Sequence, residues 1–112
     1  MKNAQLIILS ENSVYSPGVL VREVQKMGDP ETSCPVELIE FSLEPYTRSI
    51  PHSHPSTEIW QIASGQGRVI TQDGELAVKA GDLVFLRPNE THHLENSSDE
   101  IMNALSISWI EP

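Results

Sequence analysis

Nowhere in this chain do apolar residues recur at helical spacing over three turns, and that absence limits the fold more than any single motif. In its place stand short apolar runs cut by eight prolines and six glycines, the pattern of an all-β protein with tight turns. Gln5–Leu9 reads as a first strand, Asn12–Gly18 as a polar connection ending in the turn Ser16-Pro17-Gly18, and Val19–Val24 as a β-branched strand. Met27–Pro35 is a polar loop carrying Cys34, and Val36–Leu43 alternates imperfectly, as a strand half facing a core would. Glu58–Ala63 is expected to form a hairpin with Gly67–Gln72, and Asp73-Gly74 is the strongest hairpin signal in the sequence. Leu83–Leu86 is apolar throughout, consistent with a strand buried on both faces, and His92–Glu95 and Ile101–Ile110 close the chain. About ten strands at this spacing fit a sandwich or a jelly-roll barrel, and the strand pattern does not choose between them.

With 112 residues the chain is expected to form one domain, 1–112, around a single core. Cys34 is the only cysteine, which excludes an internal disulfide framework and any multi-cysteine metal cluster. The apolar run near the N-terminus is too short for a secretory signal, and no stretch approaches the ~20 apolar residues of a membrane span. The expectation is a soluble, cytoplasmic protein without a membrane partner. A formal charge of −9 argues against a nucleic-acid surface.

Chemistry concentrates in His52-Ser53-His54-Pro55-Ser56-Thr57-Glu58. On an extended segment His52, His54 and Glu58 share parity, so two imidazoles and a carboxylate reach toward one point. That set is a half-shell for a divalent transition metal. A further ligand would have to come from His92 or His93, the remaining histidines.

From His52 the spacing is His-x-His-x3-Glu-x6-Gly, ending at Gly65; from Gly81 it is Gly-x10-His-x3-Asn, ending at Asn96. Together these resemble the two signatures of the cupin superfamily, motif 1 over about 46–65 and motif 2 over about 81–96. The resemblance runs from about Glu44 to Asn96, and Asp82 matches as well. It implies a double-stranded β-helix, the jelly-roll cupin barrel. It also implies His52, His54, Glu58 and His92 as metal ligands, with His93 placed on the outer face or at the rim by strand alternation. Three positions depart from the pattern: Tyr46 stands at the opening glycine of motif 1, Arg87 at the proline of motif 2, and Asn89 at the glycine of its turn.

Iron, manganese, nickel, cobalt and zinc all accept such nitrogen and oxygen donors, so the sequence does not name the metal. The resemblance implies a metalloenzyme acting on a small molecule in the barrel, dioxygenase-like or a Lewis-acid isomerase or lyase. The alternative is a cupin that binds or senses a small ligand without chemistry. Trp60 and Ile62 share the face of Glu58 and are expected inside; Gln72, Ser106 and Tyr46 are the polar interior candidates, with Trp60 and Tyr46 as pocket lining. Arg48 and Arg68 are the nearest cations for a carboxylate. A homodimer is expected, with Gln5–Leu9 and Val19–Val24 as pairing strands.

Overall fold

The computed structural model describes residues 4–28 and 34–111, so the middle of the expected Met27–Pro35 loop lies outside the described residues. Among the described residues ten strands follow in order: β1 (Ile8–Leu9), β2 (Ser13–Ser16), β3 (Val19–Lys26), β4 (Glu37–Leu43), β5 (Thr57–Ser64), β6 (Gln66–Thr71), β7 (Gly74–Lys79), β8 (Leu83–Leu86), β9 (His92–Asn96) and β10 (Met102–Trp109). There is no helix among the described residues, and hence none long and apolar enough to cross a membrane. The fold is an all-β jelly roll.

A seven-stranded sheet runs β1-β3-β4-β10-β5-β8, with β2 also on β3, and a three-stranded sheet runs β7-β6-β9. Every pairing is antiparallel. Alternation puts one face of each sheet inward. Phe41 and Leu43, Trp60 and Ile62, and Met102 and Ala104 come from the large sheet, and Val69, Val78 and Leu94 face them from the small one.

Four expectations need correction. Residues 12–18 are not all connection, because Ser13–Ser16 forms β2 against Val19–Val21. Glu58–Ala63 and Gly67–Gln72 do not form a hairpin: β5 pairs with β10 and β8, while β6 pairs with β7 and β9. Gly65, at φ 85°, turns the chain between the sheets, which a left-handed residue can do and a two-strand ladder cannot. Leu83–Leu86 is buried on one face only; Leu83 and Phe85 alternate onto the solvent-facing side of their sheet, while Val84 and Leu86 face the core. Val19–Val24 is no free edge either, since β1, β2 and β4 occupy both sides of β3. The Asp73-Gly74 hairpin forms as expected, joining β6 to β7.

The unusual residues of the two motifs explain themselves here. Tyr46 takes φ 56° and Asn89 φ 64°, so both adopt the left-handed backbone that glycine would. The bend at Tyr46 is therefore kept despite its side chain, which lies 73% exposed and outside the barrel, contrary to its expected place in the pocket. A left-handed non-glycine costs about 1–2 kcal/mol, and glycine's extra unfolded-state entropy offsets about 0.5–1 of that. Tyr46→Gly is therefore expected to stabilise the protein by about 0.5–1 kcal/mol, read as a rise of a few degrees in thermal melting.

Candidate metal centre

Segment 48–52 runs alongside β9 and places the first histidine. Ser49 N–H donates to the Leu94 carbonyl at 2.9 Å. His52 and His92 then exchange both backbone hydrogen bonds, at 3.2 and 3.0 Å. Residues paired in this way project their side chains to the same face, and the two rings lie 4.8 Å apart. His54 is held by a different device: its carbonyl accepts a 2.7 Å bond from Asn89 N–H, delivered by the left-handed turn after Pro88. Its ring centres 5.4 Å from that of His52 and 5.3 Å from that of His92.

One ring nitrogen from each of His52, His54 and His92 lies within 4.8 Å of the others, close enough to bind a metal ion. The tautomers are legible for two of them. His52 Nδ1 faces the Ile50 carbonyl at 3.2 Å and His92 Nδ1 the Glu90 carbonyl at 2.9 Å. A carbonyl only accepts, so each Nδ1 carries the proton, and the lone pair of a neutral ring is left on Nε2. Backbone-fixed imidazoles of this kind are the usual support of metal-ligating histidines. His93 points the other way, its Nε2 meeting Glu95 at 3.2 Å on the outer side of β9.

Glu58 is buried beside the three rings. Its Oε1 lies 2.9 Å from His54 Nε2 and 3.2 Å from His92 Nε2. Its Oε2 accepts from Trp60 Nε1 at 2.8 Å and from the Ser106 hydroxyl. Burial resists ionisation, but contacts with His92, Ser106, Trp60 and His54 outweigh it and hold the carboxyl at about 2, against an ordinary 4.5. A depressed carboxyl contributes stability above its unfolded value and loses it as pH falls through the folded one. The gap between 4.5 and about 2 corresponds to roughly 3 kcal/mol. In metal-free protein the stability advantage of wild type over Glu58→Gln should shrink by about that amount between pH 7 and pH 2, measured by denaturant titration.

A cavity of about 160 Å³ opens onto this cluster and is lined in part by His52, Glu58, Trp60 and Ser106. Trp60 thus lies where parity placed it, and Ser106, one of the polar interior candidates, lines the cavity with it. Gln72 is exposed on the β6–β7 turn instead. Arg68 is engaged by Glu75 and Glu95 on the outer surface, and Arg48 bridges to Glu95 through its backbone; neither lines the cavity. Sequence reasoning missed the contributions of β2, β3 and β4, namely Tyr15, Val21, Glu23 and Phe41. No local signal could have found them, because only sheet pairing brings these strands across the histidines.

The geometry defines a class: an antiparallel jelly roll with three histidines gathered at one end of a cavity in the barrel. The sequence model of the Cupin domain family matches residues 39–108, and the chain belongs to that family. A Cupin 2 conserved barrel domain protein from Salinispora arenicola is similar at 25% identity, over 96% of this chain and 90% of that one, with a TM-score of 0.78. A predicted oxalate decarboxylase from Thermotoga maritima shares 21% identity over 94% of both chains, with a TM-score of 0.73. A polyketide cyclase from Streptomyces resistomycificus shares 19% identity over 99% of this chain and 80% of that one, with a TM-score of 0.72. The last two likenesses are of fold.

Proposed function

We propose that this cupin holds one divalent transition-metal ion on His52, His54, His92 and Glu58, and acts as a metalloenzyme on a small molecule in its cavity. One observation carries the reading. His92 Nε2 is buried, and the polar atom it faces is Oε1 of Glu58 at 3.2 Å. The two atoms need a positive charge between them: a shared proton in metal-free protein, the contact that lowers the Glu58 carboxyl, or a metal ion in its place. Donors about 2.1 Å from a shared ion and at right angles sit roughly 3.0 Å apart, close to the two Glu58–histidine distances. Glu58 Oε2 is already occupied by Trp60 and Ser106, so Oε1 is the oxygen presented to an ion.

A bound ion supplies Lewis acidity or a redox centre at the cavity wall, which suits an oxygenase-type reaction or an isomerase or lyase. The protein's share is to fix the rings through the Ile50 and Glu90 carbonyls and to balance charge with Glu58. The fold neighbours carry different activities by name, and the reaction is not chosen by them. A second reading, a binding or sensing cupin, is favoured by one feature: apart from the metal donors, the titratable groups lining the cavity are the exposed Tyr15 and Glu23. The proposal places the protein in the cytoplasm as a homodimer, with β1 as the remaining candidate pairing strand; light scattering after size exclusion tests the assembly.

Elemental analysis of protein purified without added metal should find about one transition-metal ion per chain. At a hundredfold excess over the dissociation constant, a ligand adds about 2.7 kcal/mol, so chelation should lower the melting temperature by roughly 10 °C. His92→Ala should abolish that difference. Absence of metal, together with no melting shift on adding any of the five ions, would remove the metalloprotein reading. Oxygen uptake on a panel of small acids, diketones and ring compounds then separates catalysis from binding; a ligand returned unaltered supports the second reading.

A further inference from the structure

The cavity is chemically one-sided. Val19, Val21, Ile39, Phe41 and Trp60 form its apolar walls, and Phe41 meets Trp60 edge to face at 5.4 Å and 65°. Its buried end holds Glu58 and Ser106, and its exposed end Tyr15 and Glu23. No lysine or arginine lines it among the described residues. Arg22 lies on β3 between Val21 and Glu23, but alternation sends it to the opposite face, where it meets Glu40 at 3.1 Å and the Ser10 carbonyl. The charged carboxylates facing the space are therefore Glu23 and Glu58.

An apolar cavity of about 150 Å³ accepts benzene, and the roughly 160 Å³ here is of that size. Aromatic walls set at an angle favour a flat ring. A carboxylate taken from water into such walls finds no cation to offset its desolvation. Only the end at His52 and Glu58 offers one, through a bound ion whose net charge with one carboxylate ligand is about +1.

We propose that the ligand of this cavity is a single-ring compound with an uncharged body, carrying at most one negative charge and only at the end that meets His52 and Glu58. Dicarboxylates are refused. The anionic end rests on the metal reading above; the uncharged ring body does not.

The test uses chelated protein, phenol as probe, and oxalate and terephthalate as dianions, read by calorimetry and by the NMR signal of the Trp60 indole N–H. That signal is assigned by its persistence in Trp109→Phe. Phenol should bind and shift the Trp60 signal, with oxalate and terephthalate at least tenfold weaker. Val21→Phe, checked for an unchanged melting profile, should weaken phenol at least tenfold by filling the cavity. Glu23→Lys, at an exposed position of the cavity mouth, should strengthen terephthalate about fivefold. Nickel loading should strengthen benzoate at least tenfold. A dianion binding as tightly as phenol overturns the proposal, and so does phenol that leaves the Trp60 signal unmoved. Metal binding without phenol binding sinks this inference alone; phenol binding without metal sinks the metal reading and the anionic end, and leaves the ring body standing.

Discussion

Gly67→Ala is expected to leave almost no stably folded protein. A Cβ at Gly67 would stand 1.9 Å from the Glu95 carbonyl oxygen and 3.1 Å from Met102 Sδ. Gly67 pairs with Asn96 and with Val78, so β6 is held on both sides and cannot swing away from β9. The backbone oxygen it would strike belongs to a ladder strand and is not the end of a flexible side chain. Overpacking of that kind costs about 4 kcal/mol or more, much of the stability of a domain this size. Gly81→Ala is the control: nothing lies within 4 Å of its Cβ, and its φ of +96° alone opposes a side chain. It should cost only about 1–2 kcal/mol. Circular dichroism and thermal melting of the two variants would refute the account if Gly67→Ala melted within a few degrees of Gly81→Ala.

Asn96→Asp should be nearly as damaging. Asn96 is buried, and its Nδ2 donates to the carbonyls of Leu43, Glu44 and Glu100, at 3.1, 3.1 and 2.7 Å. Its Oδ1 accepts from Ser98 N–H at 3.0 Å and from the Ser98 hydroxyl at 2.9 Å. One amide thus ties the Tyr46 bend to the β9–β10 turn. Aspartate keeps the shape but loses both donors and turns a negative oxygen toward three carbonyls. Each buried acceptor left bare costs about 1–3 kcal/mol, and two of the three can regain water, so the total should be about 3–5 kcal/mol. In urea that is a midpoint lowered by roughly 2 M. A shift under about 0.5 M would mean that the clamp is dispensable.

Both variants show what local sequence can and cannot carry. Asn96 was legible as a motif position through its spacing to Gly81 and His92. Gly67 stood in no motif, because its need for a bare Cα comes from β9, which is far away in the chain. The same division runs through the site. Strand alternation together with the cupin spacing picked out His92 over His93, and the structure sets the buried His92 beside the half-buried His54 and the exposed His52 and sends His93 to Glu95. Parity placed Trp60 within the cavity, but it could not reveal that the Trp60 indole and the Ser106 hydroxyl both bind Glu58 Oε2.

The sequence by itself determined the all-β class, most strand positions and the Asp73-Gly74 hairpin, and its cupin resemblance pointed to the three histidines that the fold brings together. Those depend on period-two alternation, turn chemistry and spacing, which act over a few residues. Only the tertiary structure decided that β5 lies between β10 and β8 instead of against β6, that Tyr46 stands outside, and that Glu58 is held ionised. It also decided that β2, β3 and β4 wall the cavity without a cation. Pairing is settled by which distant apolar faces close the core together. A carboxylate's charge state depends on the donors that closure brings to it.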